Sequence, residues 1–347
     1  MAVRSFTVDD IGQFDVLIDA RSPAEFALDH IPGAINCPVL DDDERHRVGT
    51  TYVQVSAFEA RRMGAVLVAR NIATHIEQRF GDQPAKWRPL VYCWRGGMRS
   101  GSFVTVLRAV GWDAQQLKGG YKAWRHHVVD QLPVLCGALR WQVICGPTGS
   151  GKTRLLQALA ARDAQVLDLE GLAVHRGSVL GEVPGQPQPA QKAFETRLFD
   201  ALRRFDPARP VWVEAESRRI GRVAVPDALI TAMHASPLVE IDASLTARVD
   251  HLLRDYAWLA DDPEALVQRL SALKGLVPNT ALAQWIRWAR ERTLLPLLTD
   301  LLSRHYDPLY SRSTGRHWAQ GAQVRRLAVR DLGEAGMAKL ADEVLGG

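Results

Sequence analysis

The chain has 347 residues, about the length of two domains of roughly 150 residues each. Hydrophobic residues make up 47% of it and charged residues 24%, a balance that excludes disordered and collagen-like chains. The net charge of +4 is too small to attract a polyanion over the whole surface, so affinity for nucleic acid would require local clusters of basic residues.

Membrane insertion and secretion are not expected. The chain has no apolar run of the roughly 18 residues that span a bilayer, and its first ten residues lack the pattern of a secretory signal. The cysteines are too few and too irregularly spaced for a disulfide framework or a CxxC metal site; they are Cys37, Cys93, Cys136 and Cys145. We therefore expect a cytoplasmic protein with no membrane partner.

Two series of alternating strands and helices follow one another along the chain. The first series has short apolar runs at 16–18 and 90–92 and helical spacing over 57–80. No periodic pattern persists over 126–137, where Pro133 and Gly137 interrupt, so we place a linker at 131–139 between domains 1–130 and 140–347. The second series predicts further buried strands, and these are at 142–145, 166–169, 211–213 and 238–241. Both series predict parallel sheets covered by helices. From Thr246 onward the pattern is mostly helical until a strand pattern at 323–329.

A cysteine follows the apolar run at 90–92. Cys93 begins a loop that contains Arg95, two glycines and Arg99 and leads into an apolar helix at 103–110. Backbone N–H groups at such a strand-to-helix turn, together with the two arginines, would stabilise a thiolate and could hold an anionic substrate beside it. The simpler interpretation, a buried structural cysteine, stays open.

This part of the chain resembles a rhodanese domain over about residues 1–130. The resemblance rests on VLIDARSPAEF at 16–26, HIPGAIN at 30–36 and the Cys93 loop, in that order. It implies that Cys93 acts as a nucleophile or as a carrier of sulfur or selenium. One departure is that Arg99 lies six residues after Cys93, whereas common rhodaneses have five. The longer spacing is similar to the loop of cysteine phosphatases, which favours a phosphorus-bearing donor.

A phosphate-binding loop opens the second domain. The segment GPTGSGKT at 146–153 matches G-x-x-x-x-G-K-[ST] between a predicted strand and a predicted helix. Its backbone N–H groups, the Lys152 ammonium and the Thr153 hydroxyl would contact phosphate oxygens and Mg²⁺. The predicted phosphate-binding residues are Gly146, Gly149, Ser150, Gly151, Lys152 and Thr153. Glu214 and Glu216 end a neighbouring strand and are candidates for metal binding or acid and base catalysis, although acids at strand ends are often simply solvated.

Two groups of arginines are candidates for contacts with RNA. Arg218, Arg219 and Arg222 follow the acidic strand end, where parallel sheets bind ligands. Arg287 and Arg290 alternate with two tryptophans, a composition that can stack on bases and contact phosphates. The helical spacing of those tryptophans, however, favours packing in the core.

The order of the two modules, together with further segments, resembles the tRNA 2-selenouridine synthase family. Those segments are GTTY at 49–52, FEAR at 58–61, DLE at 168–170, HRGS at 175–178 and YDP at 306–308. The resemblance implies a rhodanese-like parallel-sheet domain and a P-loop NTPase-like α/β domain with a mostly helical C-terminal portion. It also implies a transferase that acts on wobble 2-thiouridine in tRNA. In that scheme geranyl diphosphate alkylates the sulfur, and selenium from selenophosphate then replaces the S-geranyl group.

We expect no tightly bound cofactor beyond these donors and a candidate Mg²⁺. Two other functions stay open on the residues alone. One is a rhodanese-type sulfurtransferase or cysteine phosphatase fused to a nucleotide kinase. The other is a non-enzymatic tRNA-binding protein in which both loops only bind anions. The sequence specifies neither the oligomeric state nor the tRNA isoacceptors.

Overall fold

The structure is a computed structural model that describes residues 5–178, 181–183, 185–255, 257, 261–317 and 324–346. The chain divides into two compact units. Unit 1 contains residues 1–131 together with 192–200, and unit 2 contains 132–191 and 201–347. Within the described residues, no helix combines the length and the apolar character needed to cross a membrane.

Unit 1 is built on a four-stranded parallel sheet. Its strands are β1 (Val16–Asp19), β2 (Ala34–Asn36), β3 (Pro89–Tyr92) and β4 (Gln115–Gln116), arranged in the order β2-β1-β3-β4. All four residues of β3 are buried, as expected for a central strand of a sheet that is covered on both faces. The predicted strands at 16–18 and 90–92 are therefore the two central strands.

Five helices follow in this part of the chain: α1 (Pro23–Leu28), α2 (Asp42–Gln54), α3 (Ala57–His75), α4 (Met98–Val110) and α5 (Gly120–Ala138). A short 3₁₀ helix at Val8–Gln13 precedes β1, and a π-helical turn at Ile76–Phe80 extends α3. The core lies between sheet and helices and includes Ile18, Val91, Phe103 and Leu107, each with no exposed surface.

The prediction that 126–137 lacks periodic structure is wrong. α5 continues through Pro133 to Ala138. Val128, Leu132 and Cys136 lie four residues apart and are all buried, so they form one apolar stripe. Tertiary packing of that stripe outweighs the helix-breaking tendency of the proline.

Unit 2 contains a five-stranded parallel sheet in the order β11-β10-β5-β7-β6. Its strands are β5 (Arg140–Cys145), β6 (Gln165–Leu167), β7 (Pro210–Glu214), β10 (Leu238–Ala243) and β11 (Val324–Val329); the small antiparallel hairpin of β8 (Arg219–Ile220) and β9 (Val223–Ala224) stands apart. The sequence predicted all five sheet strands, and the α/β class of the chain is confirmed.

Ten helices complete the described chain: α6 (Lys152–Ala160), α7 (Leu169–Ala173), α8 (Gln191–Leu202), α9 (Asp227–His234), α10 (Leu245–Asp255), α11 (Pro263–Ser271), α12 (Asn279–Arg290), α13 (Leu294–Leu301), α14 (Asp307–His317) and α15 (Glu334–Gly346). Residues 192–200 of α8 belong to unit 1. β10, β11, α6 and α15 share one core around Ile241 and Leu156. A second core, centred on the fully buried Trp285, joins α10 to α13. A π-helical turn at Leu302–Tyr306 leads directly into α14.

Candidate functional site

Cys93 stands at the carboxyl end of β3, and α4 begins five residues later. Its Sγ accepts hydrogen bonds from the Gly97 backbone N–H at 3.3 Å and from the Ser100 hydroxyl at 3.0 Å. The Gln116 side chain donates to the same hydroxyl oxygen at 2.8 Å. The Gly97 carbonyl oxygen is a second acceptor for the one proton of this hydroxyl at 3.3 Å, and the sulfur is the nearer of the two.

The loop favours the thiolate form of Cys93. Burial alone would raise the pKa of this thiol, but the Ser100 hydroxyl, the backbone N–H groups and the Arg99 charge outweigh it and lower the pKa. The other cysteines show the opposite behaviour. Burial raises the pKa of Cys37, raises that of Cys136 to about 12 and raises that of Cys145 to about 11. A low thiol pKa is what a nucleophilic cysteine requires.

The two arginines of the loop lie in different surroundings. Arg99 pairs with Glu25 of α1 at 2.8 Å, and Arg45 also approaches Glu25 at 3.5 Å. Arg95 is exposed. Glu25 therefore fixes the Arg99 guanidinium beside the cysteine loop, while Arg95 presents a positive charge to solvent.

A glycine pair that the sequence reasoning missed supports this loop. Gly120 has a φ of +58°, and a Cβ there would stand 2.2 Å from the Cys93 carbonyl oxygen. The next residue, Tyr121, donates its backbone N–H to that carbonyl at 2.8 Å. The signal in the sequence is Gly119 next to Gly120 at the start of a helix, a pattern that marks close approach of backbone.

A buried polar cluster lies behind Tyr121. The Tyr121 hydroxyl donates to Asp29 Oδ2 at 2.7 Å, and the Thr196 hydroxyl donates to the same oxygen at 3.0 Å. The Arg21 guanidinium lies over the Tyr121 ring at 3.9 Å and forms a fully buried ion pair with Asp19. Because Thr196 belongs to the 192–200 segment of unit 1, a residue far along the chain completes the support of the cysteine loop.

In unit 2 the phosphate loop joins β5 to α6. Gly146, Gly149 and Gly151 have φ values of +156°, +81° and +83°. The Lys152 ammonium donates to the Gly146 carbonyl oxygen at 3.1 Å, so it reaches back across the loop. Ser150 is fully buried, and its N–H bonds to the Pro147 carbonyl. The backbone turns that phosphate binding requires are thus present.

Three carboxylates meet beside this loop. Oxygens of Glu170, Glu214 and Glu216 all lie within 4.8 Å of one another. Glu214, with no exposed surface, accepts a hydrogen bond from the Glu170 backbone N–H at 3.2 Å. The Thr153 hydroxyl lies 3.2 Å from a Glu170 oxygen and 3.4 Å from a Glu214 oxygen. Sequence reasoning named Glu214 and Glu216 but missed Glu170, which comes three residues after the end of the adjacent strand β6.

Mutual repulsion and burial make this cluster hold protons tightly. Burial and the neighbouring carboxylates raise the pKa of Glu214 well above its ordinary value, and burial with Glu170 raises the pKa of Glu216 to about 8. Burial also raises the pKa of Glu170. A divalent cation would relieve this repulsion, and three carboxylates with a hydroxyl form the oxygen donor set that Mg²⁺ prefers. These residues therefore fit the metal candidate.

The phosphate loop opens into a cleft of about 700 Å³. Glu170 and Glu216 line it, as do Arg176 and Gly177 of the HRGS segment. Gly177 has a φ of +63°, and a Cβ there would stand 2.3 Å from a Glu170 oxygen. This glycine therefore lets the backbone lie directly against the carboxylates.

The candidate RNA-binding arginines lie on the surface. Arg218, Arg219 and Arg222 are exposed on and around the β8–β9 hairpin, and Arg218 pairs with Asp227. Arg287 and Arg290 lie on the exposed side of α12. Arg287 pairs with Glu291 at 3.8 Å, and Arg290 pairs with Glu264 at 3.0 Å. Trp285 of the same helix is in the core, where its indole N–H donates to Asp300 at 2.8 Å.

Comparison with known proteins matches both units. A rhodanese-like domain model matches residues 8–127, and a model described as the tRNA 2-selenouridine synthase AAA domain matches residues 139–276. Three similar curated proteins are each named tRNA 2-selenouridine synthase. That of Alcanivorax borkumensis is 33% identical over 89% of this chain and 93% of its own length. That of Cupriavidus necator is 37% identical over 85% and 87%. That of Nitrosomonas europaea is 38% identical over 69% of this chain, and the match spans 63% of that protein, less than two thirds.

Proposed function

The chain belongs to the tRNA 2-selenouridine synthase family, and we propose that it converts wobble 2-thiouridine in tRNA to 2-selenouridine in two stages. The observation that carries this proposal is the presence in one chain of two strand-to-helix loops whose side chains differ in chemistry. One loop surrounds a cysteine whose pKa is lowered, and the other is a phosphate loop that opens into a cleft. A reaction with two differently activated donors requires such a pair.

In the first stage, the phosphate loop holds geranyl diphosphate. The 2-thiouridine sulfur attacks the first carbon of the prenyl group, the carbon–oxygen bond breaks and diphosphate leaves, while the N3 proton of the base is released. Lys152 and the backbone N–H groups of the loop neutralise the charge that develops on the leaving diphosphate. Alkylation turns the sulfur into a thioether, which leaves the base far more readily than a thiocarbonyl sulfur does.

In the second stage we assign Cys93 as the nucleophile. Its thiolate attacks the phosphorus of selenophosphate, the Se–P bond breaks and selenide leaves. The selenide attacks C2 of the base, the C2–S bond breaks and the geranyl thiolate leaves, while water hydrolyses the S–P bond at Cys93 and releases phosphate. Arg99 and Arg95 supply positive charge for an anionic donor, which agrees with the phosphatase-like spacing of the loop. Because tRNA is the substrate and Cys93 must stay reduced, we expect the protein to work in the cytoplasm.

Mg²⁺ is the cation that the carboxylate cluster fits best. Glu214 and Glu216 would hold it together with Glu170 and the Thr153 hydroxyl, and the bound cation would supply positive charge next to the diphosphate. Titration of the whole chain with Mg²⁺ distinguishes metal binding by Glu214 and Glu216 from a role of these carboxylates in acid and base catalysis. Metal ligation predicts that Glu214→Gln weakens Mg²⁺ binding, whereas unchanged Mg²⁺ binding with lost activity assigns proton transfer.

We assign the tRNA contacts to the five exposed arginines, namely Arg218, Arg219, Arg222, Arg287 and Arg290. Each phosphate contact should contribute about one unit to the slope of log affinity against log salt. Replacing Arg219 and Arg222 together with glutamine should therefore lower that slope by about two. An unchanged slope with each of the five replaced in turn would remove this surface from the interface.

The decisive experiment is mass spectrometry of nucleosides from tRNA incubated with the protein and with each donor, separately and together. Lys152→Ala should abolish geranylation but still selenate tRNA that already carries the geranyl group. Cys93→Ser should stop selenium incorporation and let geranylated tRNA accumulate. Cys136→Ser is the matched control, because that buried cysteine has a raised pKa. Equal loss of both stages in either variant would refute the assignment of one loop to each stage.

Turnover of thiosulfate or phosphate esters without tRNA would instead support the sulfurtransferase or phosphatase alternative.

A further inference from the structure

The lining of the unit 2 cleft includes side chains that differ in chemistry from the phosphate loop. Four of them are carbon-rich, and we call this set the apolar wall: Leu252, Tyr306, Leu309 and Tyr310. His251 and His305 also line the cleft. Leu309 is 46% exposed although it is a leucine. An apolar side chain that lines an open cleft gains burial when a hydrocarbon covers it, so the wall favours an apolar ligand.

The apolar wall is in direct contact with the phosphate loop. Leu252 of α10 packs so closely on Gly149 that a Cβ on that glycine would stand 2.9 Å from a methyl carbon of Leu252. Leu252 is only 7% exposed, so it joins the wall to the loop, and the accessible part of the wall is formed by Leu309 and the two half-buried tyrosines.

A buried ion pair fixes the other part of the wall. Arg248 has a side chain only 6% exposed, donates to the Thr148 carbonyl oxygen of the loop at 3.1 Å, and forms two 2.8 Å bonds to the Asp307 carboxylate. Asp307 begins α14, which carries Leu309 and Tyr310. The start of α14 is thus tied to the phosphate loop through one guanidinium. Asp307 of the YDP segment therefore holds the start of α14 against the phosphate loop.

We propose that the apolar wall binds the hydrocarbon chain of a prenyl diphosphate whose diphosphate occupies the phosphate loop, and that Leu309 sets the chain length accepted. The proposal rests on the proposed function, since it names where the prenyl group lies. A chain that begins at the loop reaches Leu252 first and is then covered by the residues at the start of α14. The two tyrosine rings add aromatic surface that a prenyl chain can cover.

Calorimetry on the full chain tests this proposal with a series of ligands: inorganic pyrophosphate, dimethylallyl diphosphate, geranyl diphosphate and farnesyl diphosphate. Geranyl diphosphate should bind at least tenfold more tightly than pyrophosphate. Leu309→Ser should weaken geranyl diphosphate roughly tenfold, which corresponds to about 1.4 kcal/mol, without changing pyrophosphate affinity. Leu309→Trp should retain dimethylallyl diphosphate and lose the longer chains.

Leu295→Ser is the matched control, because Leu295 is 55% exposed on α13 and lies outside the lining of the cleft. Unchanged pyrophosphate binding shows in each variant that the loop is folded. Two results would refute the role of the apolar wall without affecting the proposed diphosphate site. One is geranyl diphosphate that binds no more tightly than pyrophosphate. The other is an equal loss of geranyl diphosphate affinity in Leu309→Ser and Leu295→Ser. Tight, Lys152-dependent binding of ATP with none of any prenyl diphosphate would overturn the proposed function itself.

Discussion

The hydrogen bond from Ser100 to the Cys93 sulfur provides a quantitative test of the cysteine loop. The hydroxyl lies 3.0 Å from Sγ, and Gln116 orients it from the other side at 2.8 Å. A hydrogen bond to a charged group stabilises it by about 1.5–3 kcal/mol, and one pKa unit corresponds to about 1.4 kcal/mol. Sulfur is a weak acceptor, so we expect Ser100→Ala to raise the Cys93 pKa by about one unit. The thiolate population would then fall about tenfold wherever the pH lies below both pKa values.

The measurement is the ultraviolet absorbance of the thiolate as a function of pH, with the spectrum of Cys93→Ser subtracted. This readout does not require a reagent to enter the loop, which matters because Cys93 is 3% exposed. Ser102→Ala is the matched control on the same helix. A Cys93 pKa that stays the same in Ser100→Ala, or that rises equally in both variants, would refute the argument that this hydroxyl stabilises the thiolate.

Three further predictions concern the supports of the two loops. Gly120→Ala should destabilise unit 1 by at least about 2 kcal/mol and raise the Cys93 pKa. The alanine would have to adopt a left-handed conformation, and its Cβ would overlap the Cys93 carbonyl oxygen. Thermal unfolding measures the loss of stability, and the absorbance titration measures the pKa. Thr196→Val should cost about 1–3 kcal/mol in the free energy of unfolding, since it removes a donor from the buried Asp29 carboxylate. The pKa of Glu216 is about 8 in the folded protein, whereas its ordinary value is 4.5. In metal-free buffer, Glu216 therefore lowers the free energy of unfolding as the pH rises from 4.5 to about 8. Glu216→Gln should therefore be more stable than the natural chain near pH 8 and show a smaller difference near pH 5.

Each of these predictions has a control in the same chain. Gly137→Ala tests a glycine whose added Cβ would meet nothing within 4 Å, so it should be close to neutral. Thr105→Val removes an exposed hydroxyl that bonds within its own helix, and it should cost less than Thr196→Val. Glu291→Gln changes an exposed carboxylate. Its pH profile should match that of the natural chain, and a profile that instead follows Glu216→Gln would contradict the assignment to the carboxylate cluster.

Local sequence was sufficient to predict the two loops, because each is built from consecutive residues. The Cys93 loop and the phosphate loop each consist of a strand end, a glycine-bearing turn and a helix start, and the backbone N–H groups of such a turn converge because of its own φ and ψ values. The central strands were equally predictable, because buried parallel strands appear as short apolar runs.

Tertiary structure decided which distant residues complete those loops. Asp29 meets Thr196, and Glu170 meets Glu214, only after the chain has folded. No local pattern distinguishes such polar residues from solvated ones. The same reason explains α5, whose buried stripe outweighs Pro133. The sequence by itself therefore determined the positions of the two loops, each between a strand and a helix. Long-range packing decided the carboxylates, the apolar wall and the supports that tune them, because those depend on the distance between atoms and not on the order of residues.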